Sequence, residues 1–225
     1  MTETTRSHQS IVVDGGRTLC FAEWGDPAGF PVFGLHGTPG GLLNRHPDEG
    51  RYAEAGARVI TYDRPGYGGS TRRPGRSVVD CVGDVAAIAD HLGIGRFAVT
   101  GGSGGGPHSL AVAARLGERV VRACCDVGVA PFGLDELDFF AGMDPLNVTE
   151  FGWAVDGEQR LAVELDRELR EMAERVAADP SKLLGDGWAL DDADRAVLSR
   201  ADLAAVIREA TEDLVRGGVW GLGRR

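Results

Sequence analysis

The sequence feature that most constrains the fold is a glycine-rich stretch, FAVTGGSGGGPHS, which runs from Phe97 to Ser109. Five of its residues are glycine, they surround Ser103, and a short apolar run precedes them. Such a stretch has three interpretations: a loop that cradles phosphate, a flexible linker, or a strained turn that presents a nucleophile. Each interpretation requires different neighbouring residues, so the rest of the chain decides among them.

The neighbouring residues favour the strained turn. A Walker-type phosphate loop needs a lysine, and this stretch has none. A dinucleotide-binding loop needs G-x-G-x-x-G, but counted from Gly102 the third glycine position holds Pro107. A linker does not fit between a strand pattern and a helix pattern. What remains is G-x-S-x-G over Gly101–Gly105, in which small neighbours allow the turn around Ser103 to close.

The first 130 residues alternate between strand and helix patterns. A hairpin is predicted around the DGGR turn, and helices are predicted from Ser77 and from about Gly105. Apolar strand-like runs occupy 31–37, 57–63, 96–100 and 120–130. Strands separated by helices favour right-handed crossovers and a mainly parallel sheet. We therefore predict an α/β core over residues 1–130, mainly parallel with an antiparallel start.

The pattern changes near Pro131, beyond which we predict only helices. Residues 159–177 carry a stripe of large apolar side chains at helical spacing, and residues 201–215 repeat it. Stripes of this kind are packing faces. We predict that residues 131–217 form a helical cap over the sheet and that residues 218–225 form a tail.

Composition excludes several classes of partner. The formal net charge of −10 argues against binding to the phosphate backbone of a nucleic acid. No apolar run approaches the ~20 residues of a membrane span, and the polar N-terminus lacks a signal core, so we expect a cytoplasmic protein that does not bind membranes. The four cysteines show no C-x-x-C spacing, which predicts buried reduced thiols and no metal site. No cofactor is expected either.

A second motif supports a nucleophilic serine. LHGTPG, at residues 35–40, follows an earlier strand, and acyl transfer needs two backbone N–H donors for the oxyanion of its intermediate. With the segments YDRPGYGGS at 62–70 and GGSGGGPHS at 101–109, the chain resembles the α/β-hydrolase family. The resemblance implies Ser103 as nucleophile, an oxyanion hole from Thr38 and Gly104, and a small-molecule ester, amide or related substrate. Asp63 and Arg64 resemble residues that fix a loop.

The chain departs from this family's pattern in the acid and the histidine of the catalytic triad. The family's triad runs in the order serine, acid, histidine, with the last two beyond the cap. The five histidines are His8, His36, His46, His91 and His108, and all precede the predicted cap. His91 is expected at the surface and His108, on the helix after Ser103, in packing. Asp126 has two readings, an acid or a buried strand residue.

The sequence therefore predicts an esterase-like serine hydrolase that lacks the C-terminal part of its family and is impaired by that loss. Two alternatives remain: a non-catalytic binding or interaction protein with the same fold, and a fragment completed by another chain. In each case the strand at 120–130 is expected to leave a sheet edge exposed, through which the chain could self-associate.

Overall fold

A computed structural model describes residues 6–185, 188 and 190–217 of the chain. The predicted tail, 218–225, lies outside the described residues. The strands are β1 (Arg6–Val13), β2 (Arg17–Gly25), β3 (Phe30–Leu35), β4 (Ala57–Tyr62), β5 (Phe97–Gly102) and β6 (Val120–Asp126). The helices are α1 (Gly50–Glu54), α2 (Cys81–His91), α3 (Gly105–Arg115), α4 (Pro145–Asp156), α5 (Glu158–Ala178), α6 (Asp192–Leu198) and α7 (Ala201–Gly217).

The six strands form one sheet in the order β1-β2-β4-β3-β5-β6. β2 runs antiparallel to both of its neighbours, whereas β4, β3, β5 and β6 are mutually parallel. The predicted α/β class, with a mainly parallel sheet and an antiparallel start, is confirmed. Because parallel strands point the same way, the loops that follow β3, β4, β5 and β6 meet at one edge of the sheet, where ligands bind in open α/β sheets.

Side chains alternate between two cores, one on each face of the sheet, as the period of a strand requires. Phe21, Phe33 and Ile60 point to the face that α2 covers, where Val85 and Ile88 are fully buried. The opposite face holds a second core cluster, formed by Ala22, Trp24, Leu42, Leu43 and Val59. The sheet is therefore buried on both faces between β2 and β5, which fixes the register of the strands that carry the site.

The described residues after β6 contain turns and, from Pro145 onward, helices, but no strand. The apolar stripe of α5 buries Leu169, Met172 and Val176 against Ile207 and Leu214 of α7. Helix α4 was not predicted from sequence, although its start carries a recognisable signal. The Asp144 side chain accepts a hydrogen bond from the backbone of Leu146, and Pro145 occupies the first turn. None of the described helices is long and apolar enough to cross a membrane.

Strand β6 is one of the two edge strands of the sheet, and its residues from Arg122 onward are exposed. It ends at Asp126 rather than at the predicted residue 130. The expectation of buried cysteines is wrong for Cys124 and Cys125, because nothing in the described chain covers the outer part of this strand. Cys81 is buried and Cys20 half-buried.

Candidate active site

Ser103 lies on the turn that joins the end of β5 to the start of α3. Its φ of +50° is unusual for a residue with a side chain, and its hydroxyl-bearing side chain is exposed. The backbone N–H of Ser103 donates to the carbonyl of Asp126 at 3.0 Å, and its own carbonyl accepts from the N–H of Gly106 at 2.9 Å. These bonds hold the strained conformation and aim the serine away from the sheet.

The glycines around Ser103 are there because the backbone leaves no room for a Cβ. A Cβ on Gly101 would collide with the carbonyl oxygen of Gly105, and one on Gly105 would collide with the carbonyl of Leu35. A Cβ on Gly106 would lie 2.6 Å from the Cα of Gly128. The glycine-rich composition therefore follows from the close approach of α3 to β3, β5 and the loop after β6.

Thr38 and Gly104 lie side by side next to Ser103. A Cβ on Gly104 would be 2.9 Å from Thr38 Oγ1 and 3.5 Å from the Thr38 amide nitrogen. Gly37 also faces the serine, since a Cβ there would lie 3.3 Å from Ser103 Cβ. The structure thus brings the three residues that the sequence singled out into one place. The Thr38–Pro39 peptide bond is cis.

The buried guanidinium of Arg64, in the loop after β4, ties this region together. It donates to the carbonyl of Gly37 at 2.9 Å and to Thr38 Oγ1 at 3.1 Å, and it lies 3.3 Å from His108 Nε2. The ring of Tyr67 packs against it, 5.0 Å from the guanidinium carbon. Arg64 therefore contacts both the loop that carries Thr38 and the helix that follows Ser103. The sequence predicted only that Arg64 would fix its own loop.

His36 and His108 are buried neutral groups in this network. His108 Nδ1 lies 2.7 Å from the carbonyl of Gly104, so Nδ1 carries the proton and donates, and Nε2 accepts from Arg64. His36 Nε2 accepts the backbone N–H of Arg64 at 3.1 Å, and its Nδ1 donates to the carbonyl of Gly37 at 2.8 Å. Both nitrogens of both rings are therefore engaged.

Burial and positive charge keep these two imidazoles uncharged. Burial, reinforced by the charge of Arg64, lowers the pKa of His108 to about 4. The same causes, in the same order, hold the pKa of His36 well below its usual value. His108 does not reach Ser103 as a base would, since no hydrogen bond joins the two residues. The expectation that His108 serves packing agrees with these contacts.

The remaining histidines contact other parts of the molecule. His91 is exposed, as expected, with its ring 6.0 Å from that of Phe21. His46 lies beside Tyr52, and His8 Nε2 is 3.9 Å from Asp213. Asp126 touches the turn through its backbone carbonyl, and its side chain is exposed. Within the described part of the chain, no hydrogen bond links Ser103 Oγ to a candidate base.

Asp63 joins the loops that follow β3 and β4. Its carboxylate accepts the N–H of Leu42 at 2.7 Å and the N–H of Gly69 at 3.0 Å. Burial raises the pKa of Asp63 to about 7, although both hydrogen bonds favour the ionised form. Asp63 therefore holds the loop that contains Thr38 from below, as its place in the DRPGYGGS segment predicts.

A cleft of about 860 Å³ opens above Ser103, between the sheet and the helices that follow it. Its floor includes Thr38, Ser103 and Gly104, and its opposite wall includes Phe151, Leu161 and Leu165 from α4 and α5. A cleft of this size accommodates a small organic molecule. In the described part of the chain, no three His, Cys, Asp or Glu side chains group together as a metal site requires.

Several curated proteins are similar to about half of the chain. A proline iminopeptidase from Xanthomonas citri is 40% identical over 114 residues, which is 47% of this chain and 34% of that protein. An acetyltransferase component of an acetoin cleaving system from Pseudomonas putida is 38% identical over 110 residues, covering 47% of this chain and 29% of that protein. The matches thus span about a third of the relatives' own length.

Solved structures resemble nearly the whole chain. A structure from a study of carboxylesterases of Nitrososphaera gargenis covers 96% of this chain and 70% of its own, with a TM-score of 0.61 and 19% identity. The match to an enol-lactonase from Burkholderia xenovorans covers 92% of this chain and 73% of the lactonase chain, with a TM-score of 0.58 and 20% identity. At this identity the likeness concerns the fold alone. The model of the alpha/beta hydrolase fold family matches residues 31–204, and the chain therefore belongs to the α/β-hydrolase family.

Proposed function

We propose that the chain is the part of a serine hydrolase that carries the nucleophile and the oxyanion hole, acting on a small ester or amide. The observation that carries this proposal is the φ of +50° at Ser103 on the turn between β5 and α3, with Thr38 and Gly104 beside it. A strained strand-to-helix turn exposes the serine hydroxyl for attack on a carbonyl. The relatives' names add a peptide-like amide to the substrates worth testing.

The proposed reaction begins with attack of Ser103 Oγ on the substrate carbonyl carbon. The carbonyl oxygen becomes an oxyanion, which accepts hydrogen bonds from the backbone N–H groups of Thr38 and Gly104. Collapse of this intermediate expels the alcohol or amine and leaves an acyl-enzyme. Water then attacks the acyl group and releases the acid.

The weak part of this machinery is proton transfer. Ser103 needs a base, and His108 is unsuited because its Nδ1 donates to Gly104 and its Nε2 faces Arg64. A serine hydroxyl without a base is a weak nucleophile near neutral pH. We therefore propose that this chain, as given, turns over esters slowly, with the oxyanion hole and substrate binding supplying the residual catalysis.

Chemical rescue tests the proposal. We expect a fluorophosphonate probe to add to the protein slowly, at Ser103, and imidazole in the buffer to accelerate the addition by supplying the base. Ser103→Ala should abolish the addition, and Ser10→Ala, an exposed serine on β1, should leave it unchanged. Intact-mass and peptide-mass measurements read both the rate and the position. Labelling that persists in Ser103→Ala would contradict the proposal.

Turnover gives an independent measure. We expect p-nitrophenyl butyrate and prolyl p-nitroanilide to be hydrolysed feebly by the chain, with little change in Ser103→Ala. Imidazole itself hydrolyses activated esters, so the informative quantity is the difference between wild type and Ser103→Ala at each imidazole concentration. Efficient hydrolysis that Ser103→Ala abolishes without imidazole would mean that the chain contains its own base.

A second candidate function is a binding protein without turnover. The observation that favours it is the complete engagement of His36 and His108 in the hydrogen-bond network below Ser103. The rescue experiment separates the two candidates. Absence of labelling at Ser103 even with imidazole, together with measurable binding of a small molecule in the cleft, would favour the binding protein.

A further inference from the structure

The cleft above Ser103 carries more positive than negative charge, although the whole chain has a formal net charge of −10. Its charged lining residues are Arg64, Arg72, Arg73, Arg76, Glu150 and Glu158. The local sign of charge in a cleft determines which ligands it attracts, whatever the net charge of the protein. A charged side chain that is already in an ion pair attracts a ligand weakly. The charges available to a ligand are therefore those without such a partner.

Two of the arginines are paired. Arg72 forms an ion pair with Glu158 across the cleft, between the loop after β4 and the start of α5. Arg73 pairs with Asp80 at 2.8 Å. These pairs hold the cleft's rim and leave little free charge on either arginine.

The other two arginines form no ion pair among the described residues, although the charge of Arg76 acts on the Asp80 carboxylate that Arg73 already pairs. Arg64 is 3% exposed, donates only to neutral groups, and has a buried Nε without a hydrogen-bond acceptor. Arg76 is half-buried as a residue, and its guanidinium makes no hydrogen bond or ion pair in the described part of the chain. Removing such a charge from water without an anion is costly, so an anionic ligand would be favoured there.

Glu150, on α4, is the carboxylate in the cleft that is not in an ion pair. Burial, together with the charge of Glu168, raises the pKa of Glu150. At a given pH its carboxyl group therefore carries less negative charge than an exposed glutamate would. It does not cancel the charge of two guanidinium groups.

From these contacts we propose that the ligand of the cleft carries a carboxylate, which the Arg76 guanidinium binds while Ser103 faces the carbonyl to be attacked. This inference rests on the proposed function and narrows its substrate class to esters or amides of anionic molecules. Arg76 offers a planar fork of donors that matches a carboxylate. The buried charge of Arg64 adds attraction without needing direct contact.

A binding experiment that involves no catalysis tests the inference. The probes are 4-phenylbutyrate and its neutral counterpart 4-phenylbutyramide, titrated calorimetrically into the whole chain near pH 7.5 at low and high salt. A charge-assisted hydrogen bond predicts that the carboxylate binds about tenfold tighter than the amide. High salt should reduce this preference, because the rim of the cleft is open to solvent.

Variants locate the preference. Arg76→Gln should abolish it, and Arg76→Lys, which keeps the charge, should retain part of it. The matched control is Arg96→Gln, an exposed arginine just before β5, at the end of the sheet away from the site. Equal affinity for the two probes, absence of binding by either, or a preference that survives in Arg76→Gln would overturn the inference.

The two proposals fail separately in these experiments. Labelling of Ser103 without a carboxylate preference would overturn only the inference about Arg76. A carboxylate preference without labelling of Ser103 would overturn the proposed hydrolase, with its substrate class, and would leave the carboxylate-binding site at Arg76.

Discussion

His108 Nδ1 donates to the carbonyl of Gly104 at 2.7 Å, one turn of helix back along α3. The bond fixes the orientation of the peptide group that follows Gly104 and draws the imidazole beneath the turn. On its other side the ring meets Arg64, which also holds Gly37 and Thr38. A histidine in this position supports the backbone around the proposed oxyanion hole and is itself unavailable as a base.

His108 should make stability depend on pH. Its pKa of about 4 in the folded protein lies below the value of about 6.5 expected after unfolding, so the unfolded chain binds the proton first as pH falls. The contribution is fully present above pH ~6.5 and is lost between about pH 6.5 and 4, amounting to about 3 kcal/mol. In His108→Gln this part of the acid-induced destabilisation should disappear.

Urea unfolding at pH 7 and pH 4.5 measures this effect. The useful quantity is the difference between wild type and His108→Gln, because the contributions of His36 and Asp63 are common to both. That difference should shrink as pH falls. Parallel pH curves for the two proteins would show that His108 does not titrate in this way.

Gly101 should not tolerate a side chain. In Gly101→Ala the new Cβ would collide with the backbone carbonyl of Gly105, which cannot move without displacing the start of α3. We expect a loss of at least about 2 kcal/mol in the free energy of unfolding. The matched control is Gly83→Ala on the exposed side of α2, where a Cβ meets nothing within 4 Å. This substitution should raise the free energy of unfolding by about 0.5–1 kcal/mol, because alanine favours the helix more than glycine does. Chemical denaturation compares the two.

Arg64 should position the oxyanion loop through its geometry as well as its charge. Lysine keeps the charge but cannot donate to Gly37, Thr38 and His108 together. We therefore expect Arg64→Lys to slow the imidazole-assisted labelling of Ser103 by at least about tenfold.

The control for Arg64 is Arg119→Lys, which disturbs a comparable set of bonds at the opposite end of the sheet. Arg119 donates to the carbonyls of Ile94 and Gly95. Its replacement should lower stability without changing the labelling rate. If both variants slowed labelling equally, the effect of Arg64→Lys would be a general loss of stability.

The sequence predicted the elements that depend on local patterns. Short apolar runs mark the parallel strands. The Ser77–Asp80 capping box forms at the predicted start of a helical segment, which is a 3₁₀ turn leading into α2. The turn around Ser103 also has the predicted backbone conformation. The glycines of its G-x-S-x-G pattern lie where neighbouring backbone atoms leave no room for a Cβ.

Features that depend on distant parts of the chain were not predictable in the same way. The sequence of β6 reads as a buried strand, but Cys124 and Cys125 are exposed because burial depends on what lies beside a strand. The bonds from Arg64 to Gly37 and Thr38 join residues 26 and 27 positions apart, which no local pattern reports. That Arg76 forms no ion pair depends on how the charged side chains are arranged around the cleft, which the order of residues in the chain does not report.

The exposed edge of β6 should make the chain self-associate. An edge strand presents unpaired N–H and C=O groups that can pair with another strand, and here the outer residues from Arg122 to Asp126 are exposed on both faces. We expect light scattering, with reductant present, to show concentration-dependent assembly. Ala123→Lys should weaken it at least about tenfold, because pairing of two edges would bring two lysines together. The control Ala114→Lys, on the exposed side of α3, should assemble as wild type does. A wild-type chain that stays monomeric at high concentration would contradict the prediction, and so would equal assembly of the two variants.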